Sequence, residues 1–255
     1  MDSSGRICIV TGAASGIGKA TAEALARDGD TVCLCDIDPK GLAAAAESIV
    51  AEGHFAKAMV CDVTSAKQVD ALVKAITDEF GRIDVLVNCA GGSKDSVHLL
   101  DVTEEQYYAT MNLNLKSVFL TMHAVIPVMR AAGKGTIVNV SSQAGRRGSE
   151  FITPHYSTAK AGVLGLTRHA AREFGPCNIR INAVAPGRCL SGPRNRAIWA
   201  ERERLGVAKK MLESIALRRA SVPEEQAEVI RFLCSDRSSF VTGATVDVNG
   251  GELCF

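Results

Sequence analysis

Residues 7–18, Ile-Cys-Ile-Val-Thr-Gly-Ala-Ala-Ser-Gly-Ile-Gly, decide the fold of this chain. The stretch begins with a short apolar run rich in β-branched residues, which predicts a buried β-strand from Ile7 to Val10. Three glycines follow, and an alanine-rich helical pattern then continues to Arg27. Glycines between a strand and a helix let the backbone approach a pyrophosphate, whose negative charge the helix N-terminus favours. The spacing is TGxxxGxG rather than the GxGxxG of the common dinucleotide fingerprint, so this turn alone is a weak signal.

The alternation of strand and helix continues along the rest of the chain. Apolar runs predict the strands, and amphipathic stretches between them predict the helices. The predicted strands cover residues 7–10, 31–35, 55–61, 83–87, 136–140, 179–184 and 245–248, and the later helices cover 39–52, 65–80, 103–129, 156–174 and 223–234. Near-continuous apolar strands between helices are typical of a parallel sheet that is buried on both faces. We therefore predict an α/β fold of the Rossmann type, a single doubly wound parallel sheet with helices on both faces.

Length and composition favour one folded domain over residues 1–255. The chain is 47% hydrophobic, and neither a linker nor a low-complexity tract divides it. The alternation breaks after Pro186-Gly187, where an arginine-rich, irregular segment runs from 188 to 221. A long interruption inside a compact domain usually carries function, so we predict a mobile lid after the sixth strand.

Charge and cysteine usage narrow the classes of partner. The formal net charge is +1, so no overall field attracts nucleic acid or an anionic membrane. We expect no signal peptide and no apolar run of membrane-spanning length. Nine cysteines, several of them inside apolar runs, indicate a reduced, cytoplasmic protein, and the five scattered histidines predict no metal site. Small molecules and copies of the chain itself remain as expected partners.

An aspartate at the end of the second predicted strand indicates the cofactor. Asp36 lies 24 residues after Gly12, close to where a carboxylate would bind both ribose hydroxyls of an adenosine. A carboxylate there would repel a 2′-phosphate, and neither Ser15 nor Ile37 supplies a compensating cation. This favours NAD(H) over NADP(H). An aspartate that only caps the loop between strand and helix would show the same pattern.

A tyrosine and a lysine begin the helix predicted at 156–174. Tyr156 and Lys160 are four residues apart, which places them one turn apart on one helical face. A nearby ammonium favours the phenolate and lowers the pKa of the phenol from its usual value of about 10. On spacing alone, such a pair is more common on a solvated helix face than in a catalytic site.

Further motifs follow in chain order. They are Asp62-Val63, Asn88-Cys89-Ala90-Gly91, an Asn-Leu-x-x-x-Phe pattern at Asn114, Val140-Ser141-Ser142, the Tyr156 and Lys160 pair, and Pro186-Gly187. Together with the TGxxxGxG turn, this set resembles the classical short-chain dehydrogenase/reductase family over nearly the whole chain. Cys89 departs from the family's second asparagine, and Ser191 stands where a threonine is usual. Asn112 lies two residues before Asn114, and the segment from Ser142 to Tyr156 looks one residue longer than is common.

The resemblance implies a mechanism and a set of residues for it. Ser142 would hydrogen-bond the substrate oxygen, and Tyr156 would give or take the proton while hydride moves to or from the nicotinamide. Lys160 would lower the Tyr156 pKa, hydrogen-bond the nicotinamide ribose, and exchange protons through a water held near Asn114. The implied cofactor-binding residues are Gly12, Ser15, Gly16, Ile17, Gly18, Asp36, Ile37, Asp62, Val63, Asn88, Ala90, Gly91, Tyr156, Lys160, Pro186, Gly187, Cys189 and Ser191. The family also implies a homotetramer with the helices at 103–129 and 156–174 at an interface.

Arginines flank the expected substrate site. Arg147 follows the predicted catalytic serine closely, and Arg188, Arg194 and Arg196 begin the lid. Guanidinium groups suit carboxylate, sulfonate or phosphate, so our hypothesis is a small anionic hydroxy or keto compound held by these arginines with Ser142 and Tyr156.

Two other interpretations of these loops remain open. The arginines could instead pair with Glu150, Glu201 or Glu203, or lie at a subunit contact. An apolar pocket for a cyclic or aromatic alcohol is also compatible with the same segments, lined by Phe151, Ile152, Ile198 and Trp199.

The leading functional interpretation is a cytoplasmic NAD-dependent alcohol dehydrogenase or ketone reductase. A 3-oxoacyl carrier-protein reductase is an alternative, although the resemblance implies NADPH for most such enzymes and Asp36 disfavours it. A non-catalytic nucleotide-sensing regulator is an alternative of another class, disfavoured because both Tyr156 and Lys160 are present. The glycine spacing disfavours an extended-family epimerase.

Overall fold

A parallel sheet forms the centre of the molecule. The computed structural model describes residues 5–93, 97–148 and 152–254, with the side chains of 193 and 194 outside that description. The strands of the described residues are β1 (Ile7–Thr11), β2 (Thr31–Asp36), β3 (Ala56–Val60), β4 (Val85–Asn88), β5 (Gly135–Val140), β6 (Ile179–Pro186) and β7 (Thr245–Val248). They form one sheet in the order β3-β2-β1-β4-β5-β6-β7, and neighbouring strands run parallel throughout. This confirms the predicted fold class.

Helices cover both faces of the sheet. They are α1 (Gly16–Arg27), α2 (Pro39–Ala51), α3 (Ala66–Phe80), α4 (Glu104–Met111), α5 (Ser117–Ala132), α6 (Pro154–Phe174), α7 (Pro193–Arg204), α8 (Ala208–Glu213) and α9 (Pro223–Cys234). Successive residues of β1 point to opposite faces, because side chains alternate along a strand. Ile7 and Ile9 pack in the cluster that contains α3, α5 and α6 residues, whereas Cys8 and Val10 pack with α1, α2 and α9.

The long helix predicted at 103–129 is interrupted. A π-helical turn, Asn112–Lys116, separates α4 from α5, so the prediction of one uniform helix was wrong. The Asn114 amide explains the interruption: its Nδ2 donates to the Thr110 carbonyl at 3.0 Å and to the Gly92 carbonyl at 2.9 Å. A side chain that inserts into the helical hydrogen-bond ladder in this way produces a local bulge, and such bulges are frequent at functional sites.

The same helical stretch corrects the expectation that no apolar run is of membrane-spanning length. By length and composition alone, Glu104 to Ala132 could cross one. In the structure, 39% of its most apolar window is buried, and Val118, Met122 and Met129 belong to the core that packs on the sheet. A core helix passes the same test, so length and composition here are weak support for a membrane span.

The turn between β1 and α1 requires its glycines. Gly12 and Gly16 have positive φ angles of 68° and 58°, which side chains with a Cβ rarely adopt. Gly18 has an ordinary backbone conformation, but a Cβ at this position would lie 2.2 Å from the Gly12 carbonyl oxygen. The tight turn therefore depends on close backbone packing, which only glycine permits at position 18.

We expect Gly18→Ala to lower the free energy of unfolding by about 2 to 3 kcal/mol, because the new methyl group overlaps backbone that has no side chain to move away. Gly175→Ala is the matched control, since Gly175 has a right-handed helical backbone and a Cβ added there would meet nothing within 4 Å. Urea unfolding of both variants measures the difference. Equal stability of the two variants would contradict the packing argument.

Candidate active site

A cavity of about 870 Å³ lies above the carboxyl ends of the strands. Its walls include the ends of β2, β5 and β6, the turn before α1, the start of α6 and the face of α7. Open parallel sheets bind ligands at this edge, where the strand order diverges from β1 and β4. Every residue predicted to bind the cofactor lines the cavity except Asn88.

Asn88 was predicted to bind the cofactor, but it lies beneath the cavity and does not line it. Its side chain is buried, with Nδ2 donating to Asn139 Oδ1 at 2.9 Å and Oδ1 accepting from Thr121 at 2.7 Å. Asn139 in turn donates to Thr167 at 2.9 Å. Because these partners occupy both ends of the Asn88 amide, the residue joins β4, β5 and the helices below rather than contacting a ligand.

The turn before α1 fits a pyrophosphate. Ser15 occupies the N-cap position of α1, yet its side chain makes no capping hydrogen bond to the first turn. Backbone N–H groups at the start of α1 therefore keep their donor capacity beside the cavity, where Ser15, Gly16 and Ile17 are part of the lining. Gly91 lies opposite, close to Asn114 and Lys160. The donors and the positive end of the helix dipole suit two phosphates.

Asp36 caps its loop, as one of its two sequence interpretations predicted, and its role in binding the ribose stays a prediction. Its Oδ2 accepts a hydrogen bond from the Ala14 N–H at 3.1 Å, and its Oδ1 accepts from the Asp38 N–H at 3.0 Å. The carboxylate thus supports the glycine turn and the start of the next loop. It also lines the cavity next to Ile37, whose side chain is 67% exposed. Within the described residues, no cation forms an ion pair with Asp36, so its negative charge faces the adenosine end of the cavity.

Ser142, Tyr156 and Lys160 meet at the other end of the cavity. Ser142 follows β5, and its hydroxyl accepts from the Ala144 N–H at 3.1 Å; Ser142 and Tyr156 both line the cavity here. Lys160 lies one turn after Tyr156 on α6, with Nζ 5.7 Å from the centre of the tyrosine ring. Its Nζ donates to the Val140 carbonyl at 2.8 Å, which orients the ammonium toward the end of β5. The solvated-face interpretation of this pair is wrong, because Lys160 is only 3% exposed.

Burial dominates the pKa values of this group. It raises the pKa of Tyr156, with the Ser142 hydrogen bond opposing the rise. Burial also lowers the pKa of Lys160 to about 8. The predicted lowering of the Tyr156 pKa by Lys160 is therefore not the net effect here, because desolvation raises this pKa and the group that opposes the rise is Ser142. Cys89 lines the cavity nearby, and burial raises the pKa of its thiol to about 12, so the thiol is neutral at pH 7.

Asn114, rather than Asn112, faces the site. Its Oδ1 accepts from the Gly92 N–H at 2.8 Å, and the side chain is fully buried behind the Gly91-Gly92 segment. Asn112 instead lines a shallow groove on the outer surface between α4 and α6. Asn114 does not reach the cavity itself. Its expected part in proton exchange through a water stays a prediction.

The predicted arginines are placed differently from the expectation of a free anion site. Arg147 does not line the cavity, and its guanidinium donates to Glu252 at 2.7 Å. Arg188 lines the cavity and pairs with the same carboxylate at 3.2 Å. Arg196 is exposed outside the lining, and the side chain of Arg194 lies outside the described residues, as does residue 151. The structure therefore gives no support to substrate contacts by Arg147 or Arg196.

Two residues that sequence reasoning missed belong to this region. Glu252 has a fully buried side chain, and it also accepts from Gln143 Nε2 at 3.0 Å, directly after Ser142 in the chain. The sequence offered one signal for Glu252: it follows the Gly250-Gly251 turn, and a turn directly after a parallel strand lies at the ligand-binding edge of the sheet.

The second missed residue is Arg202, which the helical periodicity of α7 would have found. The α7 residues that line the cavity are Asn195, Ile198, Trp199 and Arg202. Their spacing of i, i+3, i+4 and i+7 is one face of a helix. This face confirms that the segment after β6 forms one wall of the cavity; its mobility stays a prediction.

Comparison with known proteins identifies the class. The family model described as Enoyl-(Acyl carrier protein) reductase matches residues 12–252. A 3-oxoacyl-[acyl-carrier-protein] reductase of Thermotoga maritima is 43% identical over 251 residues, 97% of each chain. Together with the fold and the order of the motifs, these matches show that the chain belongs to the short-chain dehydrogenase/reductase family. It is an oxidoreductase of that family.

Two solved structures are similar over nearly their whole length. NAD+-bound xylitol dehydrogenase superposes with a TM-score of 0.91 at 33% identity, covering 98% of this chain and 100% of that one. A 3-oxoacyl-[acyl-carrier protein] reductase with bound NAD from Brucella melitensis superposes with a TM-score of 0.87 at 35% identity, covering 99% and 93%. The two relatives carry different substrate names, so overall similarity does not choose between them.

The lowered pKa of Lys160 predicts a pH-dependent stability difference. The folded pKa is about 8 and the unfolded value about 10.4, so the unfolded chain binds more protons between these values. Below pH 8 the folded protein carries the full cost of a buried ammonium. We expect Lys160→Met to be more stable than the wild type at pH 7 by about 1 to 3 kcal/mol, and this advantage to shrink from pH 8 to pH 10.

Urea unfolding at pH 7, 8, 9 and 10 measures this difference. Lys209→Met removes an exposed lysine and serves as the control, for which we expect no trend with pH. An advantage of Lys160→Met that grows as the pH rises would contradict the assignment.

Proposed function

We propose that this protein is an NAD(H)-dependent oxidoreductase that interconverts a secondary alcohol and a ketone. The observation that carries the proposal is that Ser142, Tyr156 and Lys160 meet at one end of a cavity whose other end holds the pyrophosphate-binding turn and Asp36. A hydroxyl pair next to a buried lysine can hold a carbonyl or alcohol oxygen and exchange one proton with it.

The residues of the chain supply position and proton transfer. Ser142 hydrogen-bonds the substrate oxygen, and Tyr156 donates a proton to that oxygen in reduction or accepts it in oxidation. The raised pKa of Tyr156 keeps the phenol protonated at neutral pH, which suits the donor role in the free enzyme. Lys160 then restores the proton of Tyr156 from the Asn114 side. Bound NAD supplies the hydride chemistry.

Several observations support NAD as the cofactor. Asp36 presents a carboxylate that has no ion-pair partner among the described residues, and this charge favours two ribose hydroxyls and opposes a 2′-phosphate. The two solved relatives described above are NAD-bound proteins. Donors at the start of α1 bind the pyrophosphate, and Asp62 and Val63 line the adenine side of the cavity.

A second candidate within this reaction class is a 3-oxoacyl carrier-protein reductase. It is favoured by the 43% identity with the Thermotoga maritima reductase. The sequence argument against it rested on the preference of such reductases for NADPH. The NAD-bound reductase from Brucella melitensis weakens that argument, because a protein described as a 3-oxoacyl carrier-protein reductase binds NAD. The substrate test below therefore includes an oxoacyl thioester.

We further propose a cytoplasmic homo-oligomer with a small-molecule substrate. All nine cysteines are free, which suits a reducing compartment. The surface groove between α4, α5 and α6 has an apolar lining that includes Leu115, Leu166 and Phe119, the last of these 49% exposed. A second copy of the chain is the occupant expected from the family, in which a tetramer uses these helices.

A cofactor reduction screen tests the reaction. We expect NAD+ reduction with at least one compound among secondary alcohols, polyols, hydroxy acids and hydroxysulfonates, or NADH oxidation with an acetoacetyl thioester. Tyr156→Phe removes the proton donor and should lower kcat by about a thousandfold. Tyr108→Phe, at an exposed tyrosine, is the control and should keep full activity. Activity that survives in Tyr156→Phe would overturn the mechanism, and NAD binding without turnover of any compound would favour a sensor.

The cofactor preference rests on the charge of Asp36. Asp36→Asn keeps an oxygen that can accept from the Ala14 N–H but removes the negative charge. We expect the ratio of kcat/KM for NAD+ to that for NADP+ to fall by about tenfold or more, because the repulsion of the 2′-phosphate is lost. Asp38→Asn, in the next loop and outside the cavity lining, is the control. An unchanged ratio in Asp36→Asn would assign Asp36 a purely structural role.

A further inference from the structure

Arg202 lies where no carboxylate of the described residues balances its charge. It is the last residue of the cavity face of α7, one turn after Ile198 and Trp199, and its side chain is half-buried. The glutamates next to it in sequence have other partners, since Glu201 pairs with Arg204 and Glu203 accepts from the Trp199 indole. Among the described residues, no acidic group forms an ion pair with Arg202.

The charged group that acts on Arg202 is a second arginine, Arg188. Burial, and then the positive charge of Arg188, lower the pKa of Arg202. Both guanidinium groups line the same cavity. Arg188 shares the buried carboxylate of Glu252 with Arg147, and the Arg188 Nε atom is buried without a hydrogen-bond partner among the described residues. Two guanidinium groups thus share one carboxylate, and Arg202 adds a third positive charge beside them. A partly buried excess of positive charge is costly unless an anion offsets it.

We propose that Arg188 and Arg202 together bind an anionic group of the substrate, a carboxylate or sulfonate, while Glu252 holds Arg188 in position. The inference rests on the proposed function, because the anion must belong to a molecule whose reacting oxygen reaches Ser142 and Tyr156. Gln143, which follows Ser142, contacts the same Glu252 carboxylate that holds Arg188. The anion site is therefore coupled to the catalytic end of the cavity.

The geometry separates this site from the cofactor phosphates. The pyrophosphate turn meets the start of the lid, where Gly16 lies against Ser191 and Ser15 against Gly192. Arg202 lies ten residues further along, at the opposite end of α7. At 1.5 Å per residue, this is roughly 15 Å from the turn. Arg188 follows the Pro186-Gly187 turn at the end of β6 and contacts the Glu252 region.

The chain contains its own reporter for this site. Trp199 is the sole tryptophan and lines the cavity one turn before Arg202. With the enzyme saturated by NADH, which forms no productive complex with an alcohol, tryptophan fluorescence can follow the binding of 3-hydroxybutyrate and of its neutral analogue 1,3-butanediol. We expect the acid to bind more tightly, and Arg202→Met to weaken acid binding by about tenfold while changing diol binding less than about twofold. Isethionate, a hydroxysulfonate, should follow the acid.

Arg196→Met is the matched control, because Arg196 is on the same helix but exposed and outside the cavity lining. It should leave acid binding unchanged. Equal affinity for acid and diol in the wild type, or equal loss in the two variants, would overturn the proposal. A loss of NAD+ affinity in Arg202→Met without a change in acid preference would assign Arg202 to the cofactor and overturn it as well.

Two further comparisons separate the sources of failure. If the protein binds the acid more tightly than the diol but turns over no compound, the proposed reaction is overturned and the anion site is supported. Turnover restricted to neutral alcohols would support the proposed reaction and overturn the anion site. Arg202→Met could weaken the binding of acetoacetyl-coenzyme A but not that of acetoacetyl-N-acetylcysteamine. In that case the anion recognised is the phosphate of a carrier arm, and the proposal of a carboxylate or sulfonate on the substrate is overturned.

Discussion

Parallel pairing of the strands is the constraint on which the rest of the structure depends. Each strand of a parallel sheet must return through a crossover, so all the carboxyl ends meet at one edge and all the connecting loops leave from it. Asp36, Ser142 and Gly187 are far apart in sequence, yet each follows or ends a strand at this edge. The cavity above it brings them together because the strands have one direction.

Burial under this edge sets the chemistry of the candidate site. Lys160 and Tyr156 lie on α6 beside the end of β5, where Lys160 is buried and Tyr156 is half-buried. Desolvation raises the pKa of the phenol and lowers that of the ammonium, so both shift toward their neutral forms. The Val140 carbonyl accepts a hydrogen bond from Lys160 and holds the ammonium in place. The protonation states of Tyr156 and Lys160 therefore depend on the charge of a ligand that binds next to them.

The charges at the substrate end show a similar dependence on tertiary structure. Glu252 is buried between Arg147, Arg188 and Gln143, which belong to the loops after β5 and β6. A buried carboxylate with these partners links the C-terminal segment to the loop after β5, and it gives a partner to two arginines that looked free in the sequence. Arg202 has no such partner among the described residues, because the glutamates beside it pair with Arg204 and Trp199. Substrate selectivity thus depends on which guanidinium groups already have a partner.

The sequence by itself determined the order and type of the elements, the glycine turn, Asp36 at the end of the second strand, and the Tyr156 and Lys160 pair, because each is encoded by local periodicity or by a short spacing. Ser142 was found through the family resemblance. Only the tertiary structure decided which asparagine faces the site, since Asn114 breaks the helix by bonding Gly92 from another segment. It also decided that Asn88 lies under the cavity and that Arg147 and Arg188 meet Glu252. These outcomes depend on contacts between residues distant in the chain, whose geometry no local pattern contains.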